Sequence, residues 1–287
     1  MNGALQYDYT AVGHVTVDVL ADGSRRIGGS AFYSALQASR LGQRALIVTR
    51  GLAREIEELI EPYRGELEIE ILPAEQTTTL ETSGVGCKRR QRLRAWAGPL
   101  PEDLVLDTAI VHLAPVARET PTRWRGRSSF VGLTPQGLVR TWPGQAGEIS
   151  LTPLHSQAVH RLASCCDAIV LATGERSSCA ELISAARAAG ALIAVTAGPA
   201  SSTILLPDGT ELELYVAALE NPSDDLGAGD VFAAALFVGL TEGQAPGPAA
   251  AFAEAAAATR LQGIGPGAIG TRRAIELRRS AEADRSR

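Results

Sequence analysis

Between residues 108 and 196 the chain alternates short apolar runs with helix-period stretches, and few folds accommodate that alternation. The runs at 108–113, 129–133, 168–171 and 192–196 are rich in Ile, Val and Leu. Amphipathic stretches at 154–164 and 178–189 separate the last three. Strands this apolar have both faces buried, the condition of a parallel sheet whose crossover helices cover it. The N-terminal part agrees, with β-rich residues 8–20, strands at 45–49 and 66–72, and helices at 30–41 and 54–63. The expected architecture is α/β, a three-layer α/β/α fold around a central, mostly parallel sheet.

Three places break the alternation. Ala21-Asp22-Gly23-Ser24 supplies an Asp-Gly turn, which predicts a short hairpin. Residues 77–83 and 91–96 are β-like around Gly84-Val85-Gly86 and too polar for the core. A second hairpin, 203–206 with 211–216, turns at Pro207-Asp208-Gly209-Thr210 near the end of the sheet. Strongly apolar helices follow at 229–240 and 249–261, and the polar residues from Arg272 onward predict a frayed terminal helix. With no internal repeat or low-complexity linker, the 287 residues are expected to form one domain.

Composition narrows the chemistry. The net charge of −5 argues against nucleic acid as the main partner. The basic run at 88–94 is expected to be a solvated surface strand. Of 27 basic side chains only Lys88 is a lysine, and no segment has the spacing GxxxxGK[ST], so a P-loop enzyme is ruled out. The four cysteines form no C-x-x-C pair and the four histidines no H-E-x-x-H, which disfavours a zinc site and suggests free thiols. Neither a signal peptide nor an apolar stretch of membrane-spanning length is visible, so a cytoplasmic location and no membrane partner are expected.

The most informative segment is Asp224-Asp225-Leu226-Gly227-Ala228-Gly229-Asp230, at the start of an apolar helix. Two glycines spaced by one residue let the backbone turn tightly, and a helix N-terminus carries unpaired N–H groups with partial positive charge. Asp230 in the first turn is placed to accept a proton from a hydroxyl beside a bound anion. An anion hole and a base for an alcohol are the parts of phosphoryl transfer. An ordinary capped helix after a Gly loop is the competing reading.

This segment resembles the D-T-x-G-A-G-D signature of the PfkB, or ribokinase-like, carbohydrate and nucleoside kinases. Gly28-Gly29 opening a helix after a hairpin resembles that family's substrate-binding G-G motif, and the two motifs lie in the family's order. The resemblance implies a ribokinase-like fold with a small β-lid, about 15–28 and 77–97. It implies ATP and Mg²⁺ as cofactors, Asp230 as catalytic base, and the amides of Gly227, Ala228 and Gly229 as the anion hole. It implies that Asp18, Gly28, Gly29 and Tyr33 bind the acceptor, and that Glu175 organises Mg²⁺ through water. Thr196, Gly198, Gly227 and Gly229 would border ATP, and the stretch 257–267, with Ala258 and Gly263, would line the adenine. Family lids sometimes pair subunits, so a monomer or a lid-mediated homodimer is expected.

The sequence also departs from the family. Tyr33 stands where G-G-x-x-x-N has asparagine, Ala172 where N-x-x-E has asparagine, and Asp225 where the signature has threonine. Asp225 is expected to face solvent. Gly13-His14-Val15, Val111-His112-Leu113-Ala114-Pro115 and Thr134-Pro135-Gln136-Gly137-Leu138-Val139-Arg140 resemble the myo-inositol kinase-like branch, with Thr134 in place of an acid. That branch implies a polyol acceptor met by Gln136 and Arg140. The alternatives are another small sugar, a nucleoside walled by Phe32, Tyr33 and Trp96, and a catalytically silent binding relative. A dinucleotide-dependent oxidoreductase is disfavoured, because the Gly263–Gly267 run follows a helix where the fingerprint requires a strand.

Overall fold

A computed structural model describes residues 5–154, 156–198, 201–215, 222 and 224–285. The N-terminal half contains β1 (Tyr7–Val12), β2 (Thr16–Val19), β3 (Arg25–Gly28), α1 (Ser30–Arg40), β4 (Ala45–Gly51), α2 (Ala53–Ile60), β5 (Glu68–Pro73), β6 (Thr79–Ser83), β7 (Arg90–Ala95), β8 (Thr108–Leu113) and β9 (Phe130–Leu133). The rest contains α3 (Gln136–Val139), β10 (Arg140–Thr141), β11 (Gly147–Glu148), β12 (Ser150–Leu151), α4 (Ser156–Cys165), β13 (Ala168–Ala172), α5 (Ala180–Ala188), β14 (Leu192–Thr196), β15 (Ser201–Leu205), β16 (Glu211–Tyr215), α6 (Ala228–Thr241), α7 (Pro246–Arg260) and α8 (Arg272–Arg285).

Nine strands form the central sheet in the order β16-β15-β14-β13-β9-β8-β1-β4-β5. Pairing is parallel from β5 through β14. The closing hairpin β15–β16 is antiparallel and forms an edge, as its turn residues predict. Period-2 alternation splits each strand between two cores. Tyr9, Ala11, Ala168 and Val170 pack with α1, α6 and α7 on one face. Val12, Val111, Ile169 and Leu171 pack with α4 and α5 on the other. This is the three-layer α/β/α arrangement. Gly132 on β9 lies against the Phe237 ring, so α6 packs closely on the sheet.

A second sheet of five strands, β11-β7-β6-β2-β3, stands apart from the first. It contains the two stretches the sequence sets aside, with the Asp-Gly hairpin β2–β3 present. The sequence gives no sign of β11, because a two-residue strand shows no periodicity. A small cluster, Leu80 and Leu93 with Val116 and Ala117, joins this sheet to the body. Helix α8 is docked: Ile275 is fully buried and Arg272 and Arg279 lie over Phe252, so its apolar anchor outweighs its polar composition. Among the described residues no helix is long and apolar enough to cross a membrane.

Candidate active site

The order in which successive strands are added to the central sheet reverses at β1, between β8 and β4, and ligands of open α/β sheets collect at the carboxyl ends of strands near such a point. There β2, the β6–β7 turn, the segments after β8, β9 and β13, and the start of α6 enclose a cavity. Of the residues singled out in the sequence, Asp18, Gly29, Tyr33, Gln136, Arg140, Glu175, Thr196, Gly227, Gly229 and Asp230 line it. Gly28 sits behind the lining, with its backbone against the Asp18 carboxylate.

The turn of residues 224–229, the expected anion loop, is held by a buried cation network. Gly227 has φ +80° and a side chain there would run into the Tyr33 ring, so only glycine fits. Asp224 accepts a two-pronged pair from Arg26 at 2.8 and 2.9 Å, Arg260 Nη2 at 2.8 Å and the Gly265 amide at 2.8 Å. Burial pushes its carboxyl up, but Arg26, Gly265 and Arg260 together hold it well below the usual carboxylate range. Arg260 is itself fully buried and also donates to the carbonyls of Leu226 and Gly263 at 2.8 and 3.0 Å. The Ala228 amide donates to the Asp225 carbonyl at 3.3 Å, so of the three expected anion-hole amides this one turns inward to close the loop.

Asp230 sits in the first turn of α6, facing the cavity. Burial pushes its carboxyl up to about 6, against a hydrogen bond from Ser30 and the charges of Arg140 and Arg89, and with the help of Glu175. Asp18 is buried, accepts from Thr16 Oγ1 at 2.8 Å, and is likewise raised by burial. Arg140 is buried and donates to the Val116 carbonyl at 3.0 Å and to Gln91 Oε1 at 2.6 Å. Gln136 donates to Glu175 Oε1 at 2.8 Å while the Ala172 amide donates to Oε2 at 3.0 Å. Thr134, where the branch motif has an acid, is within hydrogen-bond distance of His112 Nε2 at 3.1 Å. Burial pulls that imidazole down to about 3, so it is neutral.

Several expectations change. Asp225 does not face solvent: it lines the cavity, accepts the Gly86 amide at 2.9 Å and pairs with Arg89. A bare carboxylate beside an anion loop needs a countercharge, and the β6–β7 turn supplies one. The basic run is therefore only partly a solvated strand, for Arg89 and Gln91 also line the cavity. Their signal in the sequence was the position of this run in the turn of the β-excursion. Phe32 is fully buried in the core and Trp96 lines a different depression, so the aromatic wall expected for a nucleoside does not assemble. Gly198, Ala228, Ala258 and Gly263 do not line the cavity; residues 199–200, next to Gly198, lie outside the described residues. His155 and Asn221 also lie outside them.

No protein-family model and no curated protein sequence matches the chain. Solved structures match over nearly its whole length. A pyrophosphate-dependent kinase in the ribokinase family, complexed with a pyrophosphate analog and myo-inositol, is 21% identical, with TM-score 0.75 over 94% of this chain and 99% of that one. Arabidopsis thaliana ribokinase, complexed with ribose and ATP, is 17% identical, with TM-score 0.70 over 95% and 98%. A Methanocaldococcus jannaschii nucleoside kinase of the ribokinase family is 15% identical, with TM-score 0.70 over 97% and 100%. The chain has the ribokinase-like fold, and its structural neighbours are sugar, polyol and nucleoside kinases of that family.

Proposed function

We propose that the protein is a kinase that transfers the terminal phosphoryl group of ATP to a hydroxyl of a small polyol, with Asp230 as general base. One observation carries this reading. A carboxylate raised to about 6 by burial shares a cavity with the Gly227–Gly229 turn, Asp18, Gln136 and Arg140. Phosphate oxygens would meet the turn and the α6 N-terminus, and the acceptor would lie between Asp18 and Asp230. As the acceptor oxygen forms its bond to phosphorus, its proton passes to Asp230 and the bond to the leaving phosphate breaks. Preorganised donors in an enclosed site lower the cost of the developing charge.

Glu175 fits an outer-sphere Mg²⁺ site. It is buried, both its oxygens are held by neutral donors, and Mg²⁺ keeps several waters while binding one or two carboxylates and substrate phosphates. The ion would supply charge neutralisation at the phosphates. Myo-inositol is the favoured acceptor, because Gln136 and Arg140 both reach the cavity and the nucleoside wall is not assembled. Inorganic pyrophosphate is the competing donor, since three neighbouring structures of high similarity are of pyrophosphate-dependent kinases.

A coupled assay with ATP or pyrophosphate over inositols, hexoses, ribose and nucleosides tests the reading. Turnover is expected with an inositol. Asp230→Asn is expected to lose on the order of 10²–10⁴-fold in turnover while still binding the donor. Thermal stabilisation by ligands without turnover on any acceptor would leave a binding protein, not a kinase.

A further inference from the structure

The β6–β7 turn reaches across the cavity to the anion loop, and the contact is specific. The Gly86 amide donates to Asp225 Oδ2, and Arg89 pairs with Asp225 Oδ1. The Asp225 carbonyl in turn accepts the Ala228 amide, so this carboxylate belongs to the turn that presents Gly227 and Gly229. Arg89 is unlike its neighbours in the basic run. Its side chain is 23% exposed, against 80% for Arg90 and 53% for Arg94, and it lines the cavity with Gly227, Gly229 and Asp230.

From this geometry we propose that Arg89 is a phosphate ligand carried by the lid, which exchanges the Asp225 carboxylate for an oxygen of the transferring phosphoryl group. The proposal rests on the kinase reading above. Guanidinium has five donors in a planar fork, and phosphate fits that fork as well as carboxylate does. The Arg89 Nε is buried with no protein partner, so part of the fork is uncommitted. A structural latch alone explains the contact less well, because the Gly86–Asp225 bond already ties the turn to the loop. A carboxylate at the mouth of an anion site also opposes phosphate unless a movable cation cancels it. Arg89 makes and breaks no covalent bond. It meets the equatorial oxygens while Asp230 takes the acceptor proton and the bond to the leaving phosphate breaks.

Calorimetric titration with inorganic pyrophosphate, and separately with ATP, tests the proposal on the wild type and on Arg89→Ala, Arg89→Lys and Asp225→Asn. Thermal unfolding of each variant checks that it is folded. Arg89→Ala is expected to weaken binding on the order of ten- to a hundred-fold, the effect of losing a charge-assisted contact, and Arg89→Lys to recover part of it. Asp225→Asn is expected to tighten binding, because it releases Arg89 and removes a repelling charge. A latch predicts the same direction for both halves of the pair. Weakening of similar size in Arg89→Ala and Asp225→Asn, or an Arg89→Ala affinity within about twofold of wild type, overturns the proposal and leaves the kinase reading standing. Wild-type protein that takes up neither probe overturns both.

Discussion

Asp230 shows how one residue's surroundings set both its chemistry and its cost. The burial that raises its carboxyl to about 6 makes it a better proton acceptor near neutral pH. In the base role proposed above the charged form is required, so activity is expected to be lost as pH falls through that value. We expect kcat/KM to fall tenfold per unit below about pH 6 and to be flat above it. A limb near 4, measured with the best acceptor, would show an unperturbed carboxyl and contradict the site electrostatics. Folding runs the other way. A raised carboxyl costs stability above its folded value, about 1–2 kcal/mol after allowing for its solvent-facing side, and the cost disappears below the unfolded value near 4. Asp230, Asp18, Gln136 and Arg140 were legible in the sequence because each lies in a local motif. The direction of Asp225 was not, because its partner Arg89 comes from a distant turn that only the folded chain brings near.

At the scale of elements, the anion loop depends on the tie between β3, the loop itself and the end of α7. Asp224 joins Arg26 of β3 to Arg260 of α7, and Arg260 also binds carbonyls on the two loops. Removing the carboxylate charge leaves a fully buried guanidinium without its counterion, which costs about 3–5 kcal/mol in comparable cases. Asp224→Asn is therefore expected to unfold at markedly lower denaturant concentration than wild type, measured by circular dichroism at pH 7. A loss below 1 kcal/mol would mean the carbonyls alone suffice for Arg260. Because the Asp224 carboxyl is held below its ordinary range, its stabilisation is present at neutral pH and fades as pH falls below the ordinary value toward the folded one. Strands and helices longer than about five residues were visible from periodicity, and their ends differ by at most three residues. The strands β10, β11 and β12 were not, since two residues carry no period.

At the scale of the whole molecule, the cavity lies between the two larger sheets, which differ in how securely they are held; a third, two-stranded sheet pairs β10 with β12. The central sheet lies between two large apolar clusters, whereas β6 and β7 of the second meet the body only through the small cluster around Leu80 and Leu93, and its β3 edge is anchored in the large core by Ile27. Opening free energies vary within a fold with the apolar contact that must be broken, so the second sheet is expected to open more readily than the first. That difference suits a lid, which must admit substrates and then exclude water that would compete as phosphoryl acceptor. Hydrogen–deuterium exchange reads it directly. Amides of β6 and β7 are expected to exchange faster than those of β1, β8 and β13 in the protein alone. Adding pyrophosphate or ATP is expected to protect the β6–β7 turn selectively, because Gly86 and Arg89 already contact the anion loop and a bound phosphate adds a partner for the turn. Equal exchange in the two sheets, or protection confined to the central strands, would show that the second sheet is a fixed wall and that substrates enter by another route.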